Sequence, residues 1–166
     1  MRIRRADESD FDGLWPIFQS VVAKGDTYVF SPVATRQDAF DYWFGPGVTS
    51  FVAEDDGGRI AGMYKLIPNQ RDLGAHVANA SFMVNEAFRG RGIGESLGMH
   101  CLEQAKKAGF RAIQFNFVVS TNTGAVDLWK KLGFKVVGTL PEAFRHSTLG
   151  YVDAYVMYRF LNTELS

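Results

Sequence analysis

The hexapeptide Arg89-Gly90-Arg91-Gly92-Ile93-Gly94 constrains this chain more than any other stretch. It follows a strand-like run, Val77 to Val84, and opens a helical one, Ile93 to Ala108. In the helical run Ile93, Leu97, Cys101 and Ala105 fall on one line, with Leu102 and Ala108 beside it. Three alternating glycines let the connecting backbone turn tightly and come close to a ligand. The first N–H groups of a helix have no intrahelical partner and carry the positive end of its dipole. With two arginines added, such a turn suits a phosphate or pyrophosphate. It is not a dinucleotide fingerprint, which needs a glycine where Glu95 stands. Nor is it a Walker loop, which needs Gly-Lys-Ser/Thr where this chain has Gly94-Glu95-Ser96.

The rest of the chain predicts a single domain spanning 1–166, long enough for a sizeable core. Met1 to Arg5 reads as a short strand. Ser9 is expected to cap a helix reaching Ala23, with Pro16 near its first turn or bending it. An unusually aromatic loop follows, Lys24 to Val33. Thr35 caps a second helix to Phe44. Two strands, Ser50–Glu54 and Arg59–Ile67, flank the hairpin signal Asp55-Asp56-Gly57-Gly58. After the central strand and its helix come a strand from Ala112 to Val119 and a helix from Asn122 to Leu132. Strands at Phe134–Gly138 and Val152–Phe160 close the order, with Thr139 to Tyr151 read as a loop. This β-α-α-β-β-β-α-β-α-β-β order predicts an α/β (α+β) fold: a mixed central sheet flanked by helices on both faces.

Acidic and basic residues balance at 18 each, which argues against a broad nucleic-acid surface. The single Cys101 excludes an intrachain disulfide and a cysteine-based metal cluster, and no metal is expected. No apolar run has membrane-spanning length, and the N-terminus shows no signal-type apolar segment. A cytoplasmic protein with no membrane partner is the expectation.

Arg89, Gly92 and Gly94 form an Arg-x-x-Gly-x-Gly pattern that resembles the pyrophosphate loop of the GCN5-related N-acetyltransferases (GNAT). A second block, Asn122-x-x-Ala125-x-x-Leu128-Trp129-x-x-x-Gly133-Phe134, is similar to that family's Asn-x-x-Ala-x-x-Leu-Tyr-x-x-x-Gly-Phe. The element order resembles the family's acyl-CoA N-acyltransferase fold over nearly the whole chain. The resemblance implies acetyl-CoA as cosubstrate. Its pyrophosphate would lie on Arg89, Gly90, Arg91, Gly92, Ile93 and Gly94. Its pantetheine arm would pair with the backbone of Phe82, Met83 and Val84, in a gap between splayed strands. Asn122 would hydrogen-bond the cosubstrate or the backbone that holds it, although its place also fits a plain helix N-cap. A homodimer is a further expectation from the family alone.

Trp129 stands where the family often has a tyrosine that protonates the departing thiolate. Indole N–H is a donor and no acid, so Trp129 is expected to pack beside the thioester or in the core. A thiolate with a pKa near 8.5 leaves without an acid, steadied by backbone N–H groups. The implied reaction is direct attack of a neutral amine on the thioester, which requires a base or a water chain to take the amine's proton.

Neither central strand carries a carboxylate; each carries an asparagine, Asn79 and Asn116. Phosphinothricin-type acetyltransferases have a glutamate near the Asn79 position and are the second choice of relative. Asn79 to Val84, followed by Phe115 to Val118 and Thr121-Asn122, is similar to proline-analogue N-acetyltransferases, which act on imino acids such as azetidine-2-carboxylate. On that resemblance Asn79 and Asn116 bind the acceptor's carboxylate and orient its nitrogen. An amide offers both donor and acceptor to a zwitterion. Buried asparagines satisfied by neighbouring backbone would explain them structurally. Tyr28 and Phe30 are expected as an apolar wall of the acceptor site. His76 and His146 are weaker candidates, one as a base and one as a gate. The expected activity is therefore acetylation of a small-molecule amine, an amino acid or close analogue. The alternatives are a protein or peptide N-acetyltransferase and a non-catalytic acyl-CoA-binding sensor.

Overall fold

The computed structural model describes residues 1–161. Seven strands form one sheet: β1 (Arg2–Arg5), β2 (Thr49–Glu54), β3 (Ile60–Pro68), β4 (Val77–Val84), β5 (Ala112–Val119), β6 (Lys135–His146) and β7 (Gly150–Phe160). Their spatial order is β1-β2-β3-β4-β5-β7-β6. Only β4 and β5 run parallel; the other neighbours are antiparallel. Four helices cover the sheet: α1 (Phe11–Ala23), α2 (Arg36–Phe44), α3 (Ile93–Lys107) and α4 (Thr123–Lys131).

The helices divide between the two faces, as the element order predicts. On one face Leu14 and Phe18 of α1 and Trp43 of α2 pack on Val52, Met63 and Met83. On the other, Leu97 and Cys101 of α3 and Trp129 of α4 pack on Phe51, Tyr64 and Phe115. Covering both faces explains why the central strands are apolar without strict alternation. Cys101 is buried and unpaired, and burial pushes its thiol well above the ordinary range.

Two local expectations are corrected. Asp7, not Ser9, caps the entry to α1: its side chain accepts from the Ser9 N–H (2.9 Å) and forms a capping box with Asp10, over a short 3₁₀ turn. Pro16 lies inside α1, just past its first turn. The second correction concerns 139–151. That span is no loop, because β6 continues to His146 and β7 starts at Gly150, a long hairpin with a wide irregularity between Leu140 and Phe144. Both strands are largely exposed there, so polar residues are tolerated and the alternation that marks a half-buried strand is missing. Phe144 is its buried anchor, edge-on to Phe117 at 6.2 Å.

Candidate active site

The site begins where β4 and β5 part. Their parallel pairing is confined to Val77↔Ala112 and Ala78↔Ile113. Downstream, β5 keeps its register with β7 only across a bulge between Phe115 and Val118, which includes Asn116. A bulge bends a strand and re-aims its side chains. The divergence opens a cleft of ≈ 1020 Å³ that runs from the glycine loop, past both strands, to the loop between α1 and α2.

One end of the cleft is formed by the glycine loop and the N-terminus of α3. Gly92 caps α3 in the left-handed region (φ 73°), and Gly90 also has positive φ (76°). A Cβ at either position would project into open space over the α3 N-terminus, where no side chain screens the first helical N–H groups. Arg89 lines the cleft, and among the described residues it forms no ion pair. Arg91 does not line it; its guanidinium stacks on the Phe88 ring, 5.3 Å from the centroid. Ile93 points into the core, so only its backbone is available. Gly94 also turns inward: a Cβ there would meet Leu128 Cδ2 at 3.4 Å and Val84 Cγ2 at 3.9 Å. The first-turn carboxylate that would oppose a phosphate, Glu95, is paired with Lys131 at 2.8 Å. Asn122 caps α4 by accepting from the Ala125 N–H (3.4 Å) and lines the cleft.

The middle of the cleft is the exposed edge of β4. Met83 is buried and Phe82 packs against Trp129 (4.7 Å) and Tyr64 (5.4 Å), so these residues offer the cleft their backbone. Trp129 is wedged between Phe82 and Phe115, at 4.7 Å from each. It is a core residue that also reaches the cleft.

The far end holds the polar groups. Asn79 is half-buried and its Oδ1 accepts from the Ala80 N–H (2.9 Å), leaving its amide NH2 for a ligand. Asn116 is exposed and sits in an amide chain: its Oδ1 accepts from Gln114 (2.9 Å) and its Nδ2 donates to Asn69 (2.6 Å). Both line the cleft. Phe30 forms wall as expected, edge-on to Tyr42 (4.9 Å) and Phe18 (5.1 Å). Tyr28 departs from a purely apolar role, because its hydroxyl hydrogen-bonds the Phe82 backbone. His146 reaches the cleft from the β6–β7 hairpin. Its Nδ1 accepts from the Thr148 and Leu149 N–H groups (3.1 and 3.2 Å), which ties the ring to the hairpin turn. His76 is exposed and lies off the cleft.

Three residues at this end escaped the sequence reading. Tyr42 of α2 donates to Ser81 Oγ (2.5 Å), and both line the cleft. Behind them lies Lys65, 8 % exposed, its ammonium 3.3 Å from the Tyr42 ring centroid and donating to the Tyr42 carbonyl (3.1 Å). It has no carboxylate partner among the described residues, and burial pulls its pKa down to about 8. Two signals were available. Ser81 shares a strand face with Asn79, and Lys65 is the lone charge in the apolar run of β3.

The chain thus has a mixed sheet split at its parallel pair, with a glycine-lined helix N-terminus at one end of the split and amide side chains at the other. The chain belongs to the acetyltransferase (GNAT) family, whose model matches residues 14–134. N-acetyltransferase aca1 of Schizosaccharomyces pombe is 30% identical over 160 residues, covering 86% of this chain and 77% of that protein. L-amino acid N-acetyltransferase AaaT of Escherichia coli is 31% identical over 116 residues, 69% of each. A GCN5-related N-acetyltransferase from Kribbella flavida has the same fold, with a TM-score of 0.91 at 46% identity over 96% of both chains. The protein is an acetyl-CoA-dependent N-acetyltransferase. No described helix is long and apolar enough to cross a membrane.

Proposed function

We propose that the acceptor is a free amino acid or imino acid, acetylated on its nitrogen in the cytoplasm by the 166-residue chain acting as one domain. The observation that carries this reading is the placement of Asn79 and Asn116 on either side of the split, beyond the anion cradle. Bound acetyl-CoA supplies an activated acetyl group as a thioester. The cradle and Arg89 hold the diphosphate, and the β4 edge at Phe82 to Val84 aligns the arm. Asn79 has a free NH2 to give to the acceptor's carboxylate, and Asn116 closes the opposite side. Lys65, without a carboxylate of its own, adds positive potential behind Tyr42 and Ser81 and favours an anionic acceptor. The AaaT relative, named for L-amino acids, supports the same class. The finer similarity around Asn79 and Asn116 points to cyclic imino acids within it.

The β6–β7 hairpin favours a small acceptor over a peptide. Ser147 at its tip accepts no extended chain beside it, because its N–H donates to the Gly25 carbonyl (2.9 Å) and its hydroxyl to the Lys24 carbonyl (2.8 Å). These contacts roof one side of the cleft.

Replacing Asn79 or Asn116 with alanine separates substrate contact from structure. Each variant is expected to lose tenfold or more in kcat/KM for the acceptor, on the order of 1.4 kcal/mol or above, while its affinity for coenzyme A stays within about twofold. Parallel loss of cosubstrate affinity and thermal stability would make the two asparagines structural.

A further inference from the structure

Beyond Ala78, β4 loses the partner strand that would satisfy its backbone. Two side chains take its place. Asn79 Oδ1 caps the Ala80 N–H. Tyr28 serves both groups of one residue, its hydroxyl accepting from the Phe82 N–H (3.0 Å) and donating to the Phe82 carbonyl. Tyr28 comes from the loop between α1 and α2, far away in sequence. That loop also carries Phe30 of the acceptor wall, and Ser147 ties it to the β6–β7 hairpin at Lys24 and Gly25.

We propose that Tyr28 is a positioning residue that substitutes for the missing strand in the free protein and surrenders the Phe82 backbone when the acyl carrier binds. The proposal rests on the placement of the carrier along Phe82 to Val84. A single N–H has one proton to give, so a carrier carbonyl that takes the Phe82 N–H must displace the phenol oxygen from it. The same phenol oxygen reaches the Phe82 carbonyl, so once moved off the N–H it leaves that carbonyl as well. Burial pushes the phenol far above the ordinary tyrosine range, so the latch stays a neutral donor at every working pH. Filling the carrier site therefore frees the side chain that ties the loop to β4. The loop of the acceptor wall then settles around an occupied carrier site, not an empty one.

The hydroxyl's two hydrogen bonds exist only in the free state, so removing it should favour the bound state. Tyr28→Phe keeps the ring and is expected to tighten coenzyme A about threefold to tenfold by calorimetry. In the same variant the Phe82 amide should exchange its hydrogen much faster than in wild type when free, and equally slowly when coenzyme A is bound. Unchanged or weaker coenzyme A binding in Tyr28→Phe, with wild type binding normally, overturns the latch alone. Absence of coenzyme A binding in the wild type overturns the carrier placement along with it. The wild-type protein gives an independent readout: saturating coenzyme A should move the Tyr28 ring signals in its NMR spectrum, and unmoved signals refute the exchange.

Discussion

Asn79 divides its amide between two duties. The carbonyl end completes the backbone of a strand that has lost its neighbour, and the NH2 end faces the cleft. Lys65 presents the opposite case, a charge held where charge is costly. Its pKa of about 8 lies below the ordinary lysine value near 10.4, so between those values the unfolded chain binds a proton that the folded chain does not. The resulting penalty is constant below pH 8 and is relieved as pH rises toward 10. Lys65→Met keeps most of the stem and drops the charge. Chemical denaturation should find this variant more stable than wild type at pH 7, with the gap closing by pH 10. A gap that does not change with pH would mean the ammonium carries no burial penalty.

At the scale of elements, α3 matters most, because its first turn is the proposed anion cradle. Its seat on the sheet depends on Gly62 of β3. A Cβ there would stand 3.0 Å from Ile93 Cγ2, 3.0 Å from Leu97 Cδ1 and 3.1 Å from the Met83 carbonyl oxygen. Gly62→Ala should therefore lift α3 from the sheet. The expected cost is about 1–3 kcal/mol of stability, accompanied by weaker coenzyme A binding, since Ile93 is the helix's first residue. Gly92→Ala should invert the balance. Its Cβ meets no protein atom, so the cost to the fold is the left-handed backbone, about 1 kcal/mol, and the main loss is in coenzyme A affinity. Thermal melts with and without coenzyme A distinguish the two patterns. The mixed sheet with helices on both faces was legible because turn residues and apolar periodicity are local signals, whereas the splitting of β4 from β5 was implied only by the family resemblance. The exceptions have physical reasons. The β6–β7 hairpin was hidden by exposure on both faces, which erases alternation. The Tyr28–Phe82 and Lys65–Tyr42 contacts join residues distant in the chain, and no local pattern encodes such a meeting.

For the molecule as a whole, one discontinuity organises the function. Six strand pairings hold the sheet together, and the parallel one is cut short after two residue pairs. On the proposed reading the α1–α2 face supplies the acceptor wall, the α3–α4 face supplies the carrier cradle, and the gap between β4 and β5 is where the two meet. His146 of the β6–β7 hairpin lines that gap from the side. Such a cleft should distinguish a free amino or imino acid from the same residue at the head of a peptide. The direct measurement is a competition: wild-type protein and acetyl-CoA with equal amounts of free amino acids, cyclic imino acids and matching short peptides, followed by mass spectrometry of the products. The account predicts acetyl groups on the nitrogen of one or more free acids and little on the peptides. Acetylation chiefly at peptide amines, or none on any free acid, would contradict it.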